Sequence, residues 1–234
     1  MPYRLILFDL DDTLSYFEDY WEAACKDAFA SFPLTAGLDH DRLFHEYEKW
    51  NAILDKQYIA REIDVYTYRN QRFLRALGEL GLTATWDEAE AFHALYFSLC
   101  ERHMVVRPDN IALLTKLSQT YRLGIVTNGT VDVQMRKIRA CGIQPFFPDF
   151  AIFISDQVGV AKPDARIYQV ALNAFAVDAK DTIFIGDSWQ NDVQGPRAIG
   201  ITPIWLRRDP HVPIPDASVR TIDILTDIVH VLQE

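Results

Sequence analysis

Three cysteines, Cys25, Cys100 and Cys141, are all that 234 residues supply, and no two of them form a CxxC pair. So scattered a set gives no disulfide framework, and the three read as reduced, mostly buried thiols of a cytosolic protein. Long apolar runs are missing too. The N-terminal one is broken by Asp9 before it could serve as a signal peptide, and none extends to the ~18 residues of a membrane span. Basic residues are outnumbered, 23 Lys and Arg against 33 Asp and Glu, and they form no stripe. The net charge of −10 argues against a nucleic acid held through its phosphates. An anionic small substrate is not excluded, because local charge and a bound metal reverse the sign inside a pocket. No internal repeat or low-complexity segment interrupts the chain, and nothing in it sets an oligomeric state. What is present, 49% hydrophobic, 12% aromatic and 24% charged residues, is the composition of a soluble globular protein. Its length suits one large domain or two modest ones.

Near the N-terminus four consecutive apolar residues, Leu5-Ile6-Leu7-Phe8, run straight into Asp9-Leu10-Asp11-Asp12-Thr13. A short unbroken apolar run is the pattern of a strand buried on both faces of a parallel sheet. Carboxylates just past its end then sit at the carboxyl edge of that sheet, where open α/β folds place their ligands. Three carboxyls within four residues repel one another, so the folded site needs a cation or raised pKa values to hold them.

From Phe17 the period changes. Phe17, Trp21, Ala24, Cys25, Ala28, Phe29 and Phe32 recur at helical spacing, and three further helical stripes follow. One runs through Leu43, Phe44, Tyr47, Trp50 and Leu54, the next through Tyr66, Phe73, Leu74, Leu77 and Leu80, and the last through Phe92, Leu95, Tyr96, Leu99 and Cys100. Core packing between helices is the ordinary role of such aromatic stripes. After Arg107-Pro108 helices and short strands alternate: strands at Leu123–Val126, Ala151–Ile154, Thr182–Ile185 and Pro203–Leu206, and helices at 110–120, 131–140, 165–175 and 193–199. Alternation of this length implies βαβ crossovers and a parallel sheet to which the first strand also belongs. The expected fold is therefore α/β, a Rossmann-like parallel-sheet core formed by residues 1–15 and 104–234, interrupted by an all-helical insert at 16–103. The insert leaves from beside the acidic stretch, which places it as a lid over the same sheet edge.

Each strand end delivers something polar: Asp9 and Asp11 after the first, Thr127 and Asn128 after the second, Asp187 and Ser188 after the fourth, with Lys162-Pro163 before the fourth. Asp9 and Asp187 offer hard oxygen ligands, the backbone carbonyl of Asp11 another, and a set of this kind suits Mg²⁺ bridging to a substrate phosphate. Thr127 and Lys162 supply a hydroxyl and a cation for the phosphoryl group. Asp9 can then attack phosphorus, and Asp11 can protonate the leaving oxygen and later deprotonate the hydrolytic water.

In order and spacing, Asp9-Leu10-Asp11-Asp12-Thr13, Thr127-Asn128-Gly129, Lys162-Pro163 and Gly186-Asp187-Ser188 with Asp192 resemble the four motifs of the haloacid dehalogenase (HAD) superfamily. The offset of 118 positions from Asp9 to Thr127 fits a helical cap, and the offset of 35 from Thr127 to Lys162 leaves no room for a second one. The resemblance implies that Asp9 is the nucleophile, Asp11 the general acid/base, Thr127 the phosphate-binding hydroxyl, Lys162 the charge stabiliser and Asp187 the metal carboxylate. Asp192 is either an orienting residue behind the metal or a helix N-terminal carboxylate, Asn128 positions its loop and belongs to the substrate-binding set, and Trp189 packs or contacts substrate. Asp12 has no evident catalytic part. Val158-Gly159-Val160-Ala161-Lys162-Pro163 is similar to the branch containing pyrimidine 5′-nucleotidases. The expectation is a cytoplasmic Mg²⁺-dependent hydrolase of a small phosphorylated metabolite, of nucleotide or sugar phosphate type. A 2-haloacid dehalogenase, a phosphomutase and a catalytically silent binding protein are the alternatives. The dehalogenase branch has no need of an acid two residues after the nucleophile. Candidates for substrate contact in or beside the insert are Tyr16, Trp21, Trp50, Tyr58 and Arg61.

Overall fold

The computed structural model describes residues 3–60 and 62–232, so Arg61 lies outside the described residues. Tertiary contacts divide the chain into two units, Met1–Phe17 with Val105–Glu234, and Glu18–Met104.

In the first unit the strands β1 (Leu5–Phe8), β2 (Arg122–Thr127), β3 (Ile152–Ile154), β4 (Thr182–Gly186), β5 (Thr202–Leu206) and β6 (Arg220–Ile222) form one sheet in the order β3-β2-β1-β4-β5-β6. Every pairing is parallel. β1 lies with β4 at the centre of the sheet, and all four of its side chains are fully buried. Each such side chain contributes about 1.5–3 kcal/mol by leaving water, so the apolar run that opens the sequence anchors the whole layer. On one face Leu5, Leu7, Val126 and Phe184 pack against Ile167, Tyr168, Leu172 and Phe175. The sheet order reverses between β1 and β4, and a crevice at such a switch point is where open α/β sheets bind ligands. Phe8 pairs with Ile125 and Ile185, so the residues that follow β1, β2 and β4 emerge side by side at this edge.

The sixth strand has no counterpart in the sequence reading. β6 is three residues long with only Ile222 buried, and a short edge strand of that kind carries no apolar run to signal it.

The second unit contains α1 (Trp21–Ser31), α2 (His40–Ile59), α3 (Val65–Glu79) and α4 (Trp86–His103). Its interior is aromatic, as the stripes implied. Phe73 and Phe92 stack with centroids 4.0 Å apart, Phe29 stacks on Phe92 at 5.4 Å, and Tyr47 meets Phe29 edge-on at 5.8 Å. Trp21 is part of this core, stacked on Tyr47 at 5.5 Å. Trp50 donates to Glu79 at 3.1 Å, and Tyr58 stacks on Tyr68 at 5.3 Å. Tyr66, placed in the apolar stripe by its spacing, is instead half exposed against Trp86. α4 begins six residues before Phe92 because Thr85 and Glu88 form a capping box, each side chain closing the other's backbone N–H.

The core unit continues with α5 (Pro108–Ser118), α6 (Val131–Ala140), α7 (Ser155–Val158), α8 (Ala165–Phe175), α9 (Gly195–Ala198) and α10 (Ile228–Val231). The helix expected over 193–199 is different: a wider π-helical turn occupies Trp189–Gln194 and hands over to α9 at Gly195-Pro196. Pro196 has no N–H for the carbonyl four residues back and its ring crowds that carbonyl, which favours a widened turn there.

Candidate active site

The turn after β1 closes on itself. Leu14 and Ser15 N–H donate to the Leu10 carbonyl at 2.9 and 2.8 Å, and Asp12 N–H donates to the Ser15 carbonyl at 2.7 Å. Asp12 takes φ +55°, a left-handed conformation that Asp tolerates better than most residues. Within this turn the three carboxylates acquire three different sets of partners.

Asp9 is buried, and its N–H extends the sheet by donating to the Ile185 carbonyl at 2.8 Å. Its Oδ1 accepts from Leu10 N–H at 2.7 Å and from Lys162 Nζ at 2.8 Å. The same ammonium reaches Asp192 Oδ1 at 2.7 Å, while Asp192 Oδ2 accepts from Ser188 N–H at 2.9 Å. Lys162 and Asp192 are both buried, so the solvated lysine that the sequence alone permits is absent. Asn128 holds the Lys162 segment by its backbone: its Oδ1 accepts from Lys162 N–H at 2.8 Å and its Nδ2 donates to the Lys162 carbonyl at 3.1 Å. Gly186 makes room for the arrangement, since a Cβ there would stand 2.4 Å from the Asp192 carboxylate.

The charges do not balance. Burial, followed by the charge of Asp192, raises the pKa of Asp9 although Lys162 pulls it down. Burial tends to lower the Lys162 ammonium, but Asp192 and Asp9 outweigh it and the net shift is upward. Asp192 is raised chiefly by burial. Asp187, at the end of β4, is pushed up to about 7, first by burial and then by the charges of Asp9 and Asp12. One ammonium thus faces three carboxylates, Asp9, Asp187 and Asp192, each of which has an oxygen within 4.8 Å of the others'. A dication would relieve this excess. The donor set fits a hard one: Asp192 spends both oxygens on Lys162 and Ser188, which leaves Asp9 and Asp187 as the carboxylates with capacity to spare.

Asp11 faces elsewhere. Its Oδ2 accepts from Gln134 Nε2 at 2.8 Å and its Oδ1 pairs with the Lys137 ammonium. Gln134 Nε2 also lies 2.7 Å from the hydroxyl of buried Thr127 and 3.1 Å from the Asn128 carbonyl. The sequence reading missed Gln134 and Lys137. Both are buried, on the same face of α6 as Ile138; polar residues at the apolar positions of that helix were the available signal. It also missed Ser155, whose hydroxyl accepts from Gly129 N–H at 3.0 Å. Asp12 pairs with Arg208 at 2.5 Å and accepts from Phe17 N–H at 3.2 Å. Tyr16 contacts two guanidinium groups, of Arg107 at 4.1 Å and Arg208 at 4.4 Å. Trp189 packs edge-on against Trp205 at 5.1 Å.

The sequence model of the haloacid dehalogenase-like hydrolase family matches residues 3–200. The chain belongs to this family. Among its relatives, the HAD-hydrolase YfnB of Bacillus subtilis is 29% identical over 236 residues, covering 98% of this chain and 96% of that protein. A magnesium-bound crystal structure of YfnB matches with a TM-score of 0.82 at 26% identity over 100% of both chains. The glyceraldehyde 3-phosphate phosphatase of Pyrococcus abyssi is 31% identical over 209 residues, 87% of this chain and 81% of that one. The pyrimidine 5′-nucleotidase PynA of Streptococcus pneumoniae is 29% identical over 213 residues, 90% and 86% of the two chains. A 2-haloacid dehalogenase of Pseudomonas syringae matches with a TM-score of 0.68 at 22% identity over 100% of this chain and 99% of that one, a likeness of fold alone. The expected membership of the HAD-like hydrolases and the α/β parallel-sheet fold are borne out.

Proposed function

We propose that this HAD-like hydrolase is a Mg²⁺-dependent phosphatase acting on a small phosphorylated metabolite through an aspartyl phosphate on Asp9. The observation that carries the reading is the division between two carboxylates two residues apart. Asp9 lies among Lys162, Asp187 and Asp192, whereas Asp11 is held separately by Gln134 and Lys137. A nucleophile needs cations beside it, and an acid/base needs to be fixed in place within reach of the leaving oxygen. The phosphatase names of the Pyrococcus and Streptococcus relatives support it.

Asp9 and Asp187 through their carboxylates, with Asp11 through its backbone carbonyl, would hold the metal. When bound, Mg²⁺ neutralises charge on the phosphoryl oxygens. Lys162 fixes one Asp9 oxygen and adds its own positive charge to the site, and Asp192 keeps that ammonium in place. Thr127 offers its hydroxyl to the phosphoryl group. The carboxylate of Asp9 bonds to phosphorus as the bond to the leaving oxygen breaks, and Asp11 gives that oxygen a proton. Water then bonds to phosphorus, the bond to Asp9 breaks, and Asp11 takes back a proton. The helical unit serves as a cap that excludes water and selects the leaving group, and the enzyme works in the cytoplasm.

Purified protein is expected to hydrolyse p-nitrophenyl phosphate with Mg²⁺, to lose that activity in EDTA, and to lose it when Asp9 is replaced by Asn. Robust turnover in EDTA would contradict the reading. Release of halide from 2-haloacids in place of phosphate would favour the dehalogenase alternative.

A further inference from the structure

Asp11 sits on the turn after β1, whose other residues are mostly buried, yet its side chain retains 34% of its accessible surface. A carboxylate so placed would rotate freely unless something held it, and an acid/base that rotates loses much of its effect. Here each of its oxygens is gripped by a different donor from α6: Oδ2 by the Gln134 amide at 2.8 Å, Oδ1 by the Lys137 ammonium. The two donors lie three residues apart, hence on one face of the helix. Neither is free to move. Gln134 is buried and packs so closely on Gly129, at φ +144°, that a Cβ there would come within 2.9 Å of its side chain. Lys137 is 9% exposed. Gln134 also touches the hydroxyl of Thr127, so a single amide fixes the acid/base relative to the residue that meets the phosphoryl group.

We propose that Gln134 and Lys137 are positioning residues that aim the Asp11 carboxyl at the leaving oxygen. The proposal rests on the phosphatase reading and deepens it: α6, outside the four motifs, supplies the geometry of proton transfer. In the first step Asp11 donates a proton to the departing oxygen as the phosphorus–oxygen bond breaks and the bond to Asp9 forms. In the second it recovers one from water, so no proton is gained or lost over the cycle.

The consequence depends on the leaving group. An alkoxide must be protonated as it departs, whereas p-nitrophenolate leaves as a stable anion. The value of kcat/KM reports the path up to the first irreversible step, here release of the leaving group. It should be measured for a primary alkyl phosphate and for p-nitrophenyl phosphate, with Mg²⁺, in the wild type, Lys137→Met, Lys137→Gln and Lys137→Arg, with melting temperatures taken alongside. The loss on the alkyl phosphate is expected to exceed the loss on p-nitrophenyl phosphate by about tenfold or more in Lys137→Met and Lys137→Gln, part of the 10²–10⁴ that general acid catalysis contributes. Lys137→Arg should restore most of the difference. Equal losses on the two substrates in a folded variant would make Lys137 merely structural and overturn the proposal, as would no loss on either. A wild type inactive on both substrates would instead overturn the phosphatase reading, and the proposal with it.

Discussion

Lys162 holds two carboxylates at once, 2.8 Å from Asp9 and 2.7 Å from Asp192, with almost no water-exposed surface to share the charge. Removing Asp192 as an ion therefore does more than delete a contact. In Asp192→Asn the ammonium keeps only Asp9, the Ser188 N–H loses a charged acceptor, and a charge-assisted hydrogen bond worth about 1.5–3 kcal/mol is weakened or lost. The folded protein is expected to lose about that much stability in urea unfolding and to lose turnover as Lys162 drifts from its position; an unchanged midpoint with unchanged kcat would show that Asp192 is dispensable. The four residues of this cluster, Asp9, Lys162, Asp187 and Asp192, differ in how readable they are. Asp9 and Asp187 stand at the ends of strands whose pattern announces them, whereas Lys162 lies in the loop before α8 and only its place in the order of motifs singles it out. No pattern announces Asp192, since an acid near the start of a helix is common for reasons of the helix dipole alone. Gln134 and Lys137 are harder still: a Gln and a Lys on a helix normally face water, and only the return of the chain to the turn after β1 buries them. Asp12 is similar, its pairing with Arg208 spanning most of the sequence.

At the scale of the element, legibility follows length and burial. β1 is wholly apolar because both faces of the sheet are covered, and its boundaries are plain in the sequence. β6 lies at the edge with one buried residue, Ile222, and its pattern vanishes into the surrounding loop. α8 matches its expected span of 165–175 because its apolar face, Ile167, Tyr168, Ala171, Leu172 and Phe175, is continuous. The turn from β4 into α9 departs from expectation where function and Pro196 act together: the wide turn brings Asp192 to Lys162 and lets the Asn191 carbonyl accept from the Tyr168 hydroxyl. Gly186, the last residue of β4, is the point where this element has no tolerance. Gly186→Ala places a methyl 2.4 Å from the Asp192 carboxylate. Overpacking of this sort costs about 1–3 kcal/mol, and it should lower the melting temperature and displace Asp192 together. A variant with wild-type stability and activity would mean that the turn can relax without consequence.

For the molecule as a whole, the unbalanced acids tie stability to pH and to metal. The Asp187 carboxyl lies near 3.8 when exposed and about 7 in the folded site. Between those values the folded chain binds more protons than the unfolded one, so the stability of the metal-free protein should fall as pH rises from about 4 to about 7. Mg²⁺ bound as proposed would compete with those protons for the same oxygens, so its stabilising effect should grow over the interval. Melting curves at about pH 5 and about pH 7.5, with and without Mg²⁺, are expected to show a larger metal-induced rise at the higher pH; an equal rise at both would place the metal away from Asp187. Among the described residues no helix is long and apolar enough to cross a membrane. The chain divides into a sheet-bearing unit and a helical unit close to where the period of the sequence changes, at Phe17 and again at Arg107.

The proposed reaction depends on Asp9 forming a bond to phosphorus. A phosphomonoester labelled in its phosphoryl group, mixed with enzyme and Mg²⁺ and quenched in acid within the first turnover, should leave the label on the peptide that contains Asp9. That label should be released by hydroxylamine, as an acyl phosphate is, and be chased off at least as fast as kcat. Label on any other residue, or full turnover by Asp9→Asn, would contradict the mechanism.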